Sequence, residues 1–85
     1  MKKIALAIDG NHISAHFGRC PSYLFVEIDN NEIINREEIA NPGHEMGSIP
    51  KLINEHHADS IICGGMGHRA QALFQQYNIT PILGV

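Results

Sequence analysis

Cysteine is scarce here: Cys20 and Cys63 stand far apart, and they form no CxxC pattern. A disulfide framework and a thioredoxin-type redox motif are thereby excluded. Basic residues are also few. Six Lys and Arg, spread along 85 residues of net charge −3, make no positive stripe able to hold a phosphate backbone, so nucleic acid is not an expected partner. Long apolar runs are missing as well. Met1-Lys2-Lys3-Ile4-Ala5-Leu6-Ala7-Ile8 imitates the start of a signal peptide, but Asp9 cuts the run short of a full hydrophobic region. The expectation is a buried strand in a cytoplasmic protein with no membrane partner. There is no internal repeat, no low-complexity tract, and too little Gly and Pro for disorder.

What is present is the composition of a globular domain, with 44% apolar and 18% charged residues. The length allows one domain, 1–85, that buries only about 60 to 65 per cent of its unfolded surface. Ile4 to Ile8 is apolar on both faces, the pattern of a central strand. Tyr23 to Ile28 alternates and predicts a second strand. Asp29-Asn30-Asn31-Glu32 is turn chemistry leading to a charged edge strand through Ile39. Ser48 opens a helix that carries Ile49, Leu52 and Ile53 at helical spacing and ends near His57, with Pro50 tolerated in the first turn. Ser60 to Cys63 is a short strand and Gly64-Gly65-Met66-Gly67 a tight turn. His68 to Tyr77 is a helix stopped by a left-handed Asn78, and Thr80 to Leu83 is the last strand.

This order predicts an α/β fold: a mixed five-stranded sheet of order 3-2-1-4-5, with the second strand antiparallel. Both crossovers step in one direction, so right-handedness puts both helices on one face. The other face is left bare, to be covered by a second copy of the chain or by a part of a longer one.

The same order gathers the polar groups at one edge. His12, His16 and Cys20 lie between the first two strands, His44 follows the third, and Cys63 to Arg69 follow the fourth. Ligands of open α/β sheets bind outside the carboxyl ends of strands. Imidazole and thiolate are the ligands of soft and borderline metals, which makes His16, Cys20 and His12 the metal-ligand candidates. Taken by itself, the loop that carries them could also be a polar loop with solvated histidines. The glycine turn lets main chain approach a guest closely, and unpaired amides at the following helix suit an anion, with His68 and Arg69 beside them. A glycine turn also serves simply to fold a strand into a helix. Met66 reads as a core filler or a soft contact. Cys63 ends a buried strand and reads as a small hydrophobe, whereas Cys20 is the better ligand. His56 and His57 fall at the far edge, where a histidine complements a helix C-terminal dipole.

Three stretches, Ser14-Ala15-His16-Phe17-Gly18-Arg19-Cys20-Pro21, Asn41-Pro42-Gly43-His44-Glu45 and Gly64-Gly65-Met66-Gly67-His68-Arg69-Ala70, resemble in order and spacing the dinitrogenase iron-molybdenum cofactor-binding family of nitrogenase accessory factors. The resemblance spans nearly the whole chain, although family members usually continue into another helix and a tail. It implies a ribonuclease H-like fold and non-covalent carriage of an iron-sulfur or iron-molybdenum type cluster. Such a carrier serves cluster storage, delivery or cofactor biosynthesis and exchanges its cargo with a donor or acceptor protein. The family's histidine before Phe-Gly falls on His16. The resulting expectation is a non-catalytic protein that needs no cofactor to fold. Its binding residues are His16, Cys20, His12, His44, Gly64, Gly65, Met66, Gly67, His68 and Arg69. A simple zinc site from His12, His16 and Cys20 is one alternative. An enzyme acting on phosphate or nucleotide at the glycine turn is another, but ribonuclease H-type chemistry needs several acidic metal ligands, and only Asp9 and Glu45 fall near the edge.

Overall fold

A strand that is apolar on both faces needs neighbours on both sides, and residues 2–9 have them. The computed structural model describes residues 2–43 and 48–84. The chain runs β1 (Lys2–Asp9), β2 (His12–Ile13), β3 (Ser22–Asp29), β4 (Glu32–Ala40), α1 (Ser48–Glu55), β5 (Ser60–Ile62), α2 (His68–Gln76) and β6 (Thr80–Ile82). The sheet order is β4-β3-β1-β5-β6, with β3 antiparallel to β1 and β4, and β5 parallel to β1 and β6. This is the order expected from the alternation of strands and helices.

The strand count differs from that expectation. The sheet has six strands, because β2 pairs antiparallel with the end of β1, Ile8 opposite Ile13 and Asp9 opposite His12. Gly10, at φ 64°, turns the chain back in two residues instead of releasing it into a loop. The β3–β4 hairpin closes on Asn30 and Asn31, at φ 51° and 64°, the two left-handed positions of a type I′ turn.

Both helices pack on one face. Ile49 and Ile53 of α1 and Phe74 of α2 join Ala5, Ala7, Tyr23, Phe25 and Ile61 in one core. Alanine on the helix side of β1 leaves room for the bulk of Tyr23, Phe25 and Phe74. The opposite face carries Ile4, Leu6, Ile8, Leu24 and Ile28, and no described element covers it. A register shift at Glu27/Ile28 sets Ile33 opposite Ile28 and Arg36 opposite Val26. Ile33 thus turns to the uncovered side, and it and the unpaired Ile34 are 53% and 54% exposed.

Each helix ends in the paired bonds of a Schellman motif. For α1, Ala58 N–H reaches Ile53 O at 3.4 Å and His57 N–H reaches Asn54 O at 2.9 Å; for α2, Ile79 N–H reaches Phe74 O at 2.9 Å and Asn78 N–H reaches Gln75 O at 3.2 Å. His57 and Asn78 occupy the left-handed position, each at φ 60°. The far-edge histidines therefore have local work: His57 turns the chain, and His56 stacks on Phe25 with ring centroids 4.6 Å apart. A left-handed histidine carries backbone strain that glycine does not. We expect His57→Gly to raise stability by about 0.5 kcal/mol, and His57→Ile to lower it by about 1 kcal/mol, in urea denaturation.

Candidate functional site

Because β1 and β5 lie side by side and run the same way, the chain that leaves each of them arrives at one rim. There the two exits are stitched together. Ser14 N–H donates to Ala7 O, Gly64 N–H to Ser14 O (both 2.8 Å), and Phe17 N–H to Gly65 O (3.0 Å). The approach leaves no space for a side chain at Gly64 and little at Gly65. A Cβ on Gly64 would stand 2.7 Å from Ala15 Cα, and one on Gly65 would stand 3.2 Å from Ala15 O.

A third segment clamps the first. Asn41 Nδ2 donates to Cys20 O (2.8 Å) and Gly18 O (3.3 Å), while Asn41 N–H donates to Pro21 O (3.0 Å) and Gly43 N–H returns to Asn41 Oδ1 (2.9 Å). Ser14 holds the histidine's backbone: its Oγ accepts from His16 N–H at 3.2 Å and donates to His16 O at 3.0 Å. Beneath the loop, Phe17 packs edge-on against Phe74, with centroids 5.3 Å apart. Tyr23 Oη and Cys20 Sγ both donate to Phe17 O, at 2.6 and 3.4 Å, and Cys63 Sγ donates to Gly65 O at 3.5 Å. Burial pushes both thiols and the Tyr23 hydroxyl up from their ordinary ranges, so all three stay protonated donors.

Between the stitched segments lies an open cleft of about 700 Å³. Residues 15–19 form one wall; Gly65, Met66, Gly67 and Ala70 form the other. His16 and Arg19 are exposed at its mouth, and none of the described residues that line it is acidic.

Of the residues singled out in the sequence, His16, Gly65, Met66 and Gly67 meet in this cleft. Gly64 forms the seam beside it. Met66 both packs against the core and lines the cleft. His68 and Arg69 open α2 next to the turn without lining the cleft. Two expectations are corrected. Cys20 is a core residue, 2% exposed, whose thiol faces inward to Phe17, so it is not a ligand at the mouth. His12 sits on β2 and lines a separate cleft on the uncovered face with Leu6, Leu24 and Arg36. The zinc set of His12, His16 and Cys20 is therefore not assembled, and no three His, Cys, Asp or Glu groups able to hold a metal come together among the described residues. His44 and Glu45 lie outside the described residues. Sequence reasoning missed the roles of Arg19, Ser14 and Asn41. Arg19 was visible as a cation beside His16, whereas the clamp made by Asn41 spans more than twenty residues and has no local signal.

The family described as dinitrogenase iron-molybdenum cofactor matches residues 1–85. An uncharacterized protein of Methanocaldococcus jannaschii is 40% identical over 84 residues, which cover 93% of this chain and 71% of that protein. The crystal structure of the protein PH0822 superimposes with a TM-score of 0.88 at 30% identity, covering 98% of this chain and 77% of the other. A second crystal structure, of an M. jannaschii protein described provisionally as a dinitrogenase, gives a TM-score of 0.77 at 29% identity and covers 96% and 76%. No helix among the described residues is long and apolar enough to cross a membrane.

Two expectations follow from the geometry. Gly64→Ala sets a methyl group against backbone that cannot rotate away, so it should cost about 1–3 kcal/mol and shift the amide resonances of residues 14–17, read by thermal denaturation and NMR. For the thiols the folded pKa is raised above the unfolded one. Their contribution is therefore fully present below about pH 8.5 and is lost as pH climbs through the folded values. Stability measured from pH 7 to 10 should fall, and Cys20→Ala with Cys63→Ala should flatten the fall.

Proposed function

The chain belongs to the dinitrogenase iron-molybdenum cofactor family, and from that premise we propose that it is a non-catalytic carrier of a preassembled iron-sulfur or iron-molybdenum type cluster, serving cluster storage, delivery or cofactor biosynthesis. The observation that carries this reading is the meeting of His16 with the Gly65–Gly67 turn in one open cleft, with no carboxylate among the described residues of its lining. The donor set decides how the cargo can be held. A conventional protein-bound iron-sulfur cluster takes four thiolates; the chain has two cysteines, both buried and neither in the cleft. A cluster built elsewhere fits better, with one imidazole at a metal and main-chain amides and Arg19 at its anionic sulfur or oxygen periphery.

An open rim with one side-chain ligand suits transfer, since a donor or acceptor protein can reach the cargo while it is still held.

Anaerobic incubation with a preformed iron-molybdenum-sulfur cluster should give a visible chromophore that stays with the protein through gel filtration, whereas zinc alone should bind weakly. His16→Ala should weaken retention by about tenfold or more, and His12→Ala should leave it unchanged. Retention that survives His16→Ala intact would remove the reading.

A further inference from the structure

The main-chain groups around the cleft divide by kind into those already engaged and those not. On the loop wall the carbonyls of Phe17, Gly18 and Cys20 accept bonds from Tyr23 and Asn41, and that of His16 accepts from Ser14 Oγ. On the turn wall, Gly65 O accepts from Phe17 N–H, Met66 O from Gln71 Nε2 (3.0 Å) and Gly67 O from Gln71 N–H (3.1 Å). The amides of Gly18, Arg19, Gly65, Met66 and Gly67, by contrast, donate to no acceptor among the described residues.

Peptide geometry turns this division into a direction. In a trans peptide the C=O and the following N–H point opposite ways. With Phe17 O and Gly18 O held inward, the amides of Gly18 and Arg19 are turned outward. Gly18 has no side chain, so main chain is all it brings to the cleft, and its carbonyl is already engaged.

The Met66 amide is turned away, because the Gly65 carbonyl of the same peptide points at the loop wall. We propose that the cleft is an anion receptor built from main-chain amides: Gly18 and Arg19 on one wall and Gly65 and Gly67 on the other, joined by the Arg19 guanidinium, with Asn41 as the positioning residue. Its ligand class is a multiply charged oxo- or thio-anion, free or presented as the periphery of a cluster. Outward N–H groups favour concentrated negative charge, and no carboxylate is among the described residues of the lining. The inference rests on the reading of this cleft as the cargo site and adds the main-chain donors that meet the charge.

The test is titration of the metal-free, 15N-labelled chain with sodium molybdate at low ionic strength, against chloride at equal ionic strength. Amide protons of these four residues should move downfield and saturate with molybdate but not with chloride. Asn41→Ala, which frees two carbonyls to turn outward, should weaken binding about tenfold, while His12→Ala, on the uncovered face, should stay within about twofold of the parent. If Asn41→Ala fails to fold, Gly18→Pro, which deletes one donor, takes its place with the same expectation. Unmoved amides on either wall, or undiminished binding by the folded variant, would overturn the proposal. Molybdate binding without uptake of the preformed cluster would keep it and remove the carrier reading. Cluster uptake with the four amides unmoved would do the reverse.

Discussion

The separation between two pieces of backbone governs this molecule's chemistry. The bonds from Gly64 N–H to Ser14 O and from Phe17 N–H to Gly65 O each contribute only about 1 kcal/mol net. What they fix is position. They hold the loop after β2 against the turn after β5 so tightly that only glycine fits at the point of contact, and the cleft is what remains open on either side of that contact. If the seam were lost, His16 would still be an exposed histidine, but nothing would stand opposite it. The seam in turn depends on β1 and β5 being parallel neighbours, which follows from the crossover through α1.

Core and site are joined through carbonyls. Tyr23 and Cys20 reach Phe17 O from below, and Cys63 reaches Gly65 O, so groups that pack the interior also orient the main chain at the rim. The two cysteines thus serve the site as protonated donors behind it. Burial, which makes them poor metal ligands, is also what keeps them protonated.

The sheet order was readable because strand and helix periods alternate without ambiguity, and right-handed crossovers leave few topologies. The meeting of His16 with the glycine turn followed from that order. Other features were not readable, each for a local reason. Gly10 ends the apolar run of β1, and a left-handed glycine can equally release a loop or reverse the chain into a two-residue strand. Cys20 lies among Gly, Arg and Pro, where no periodicity announces burial, and its thiol turns inward to the carbonyl of Phe17. Asn41 before Pro42 has the local pattern of a loop. Its amide group works on carbonyls that only folding brings near.

The bare side of the sheet and the cleft stand in different places on the molecule. Ile33, paired with Ile28 across the β-bulge, extends the apolar surface of Ile4, Leu6 and Leu24, whereas the cleft opens at the sheet's end, above the last residues of β1 and β5. A body that settles on the flat of the sheet leaves the rim unobstructed. Contact on the broad side and access to the rim are therefore geometrically orthogonal, and a tethered molecule keeps its opening free.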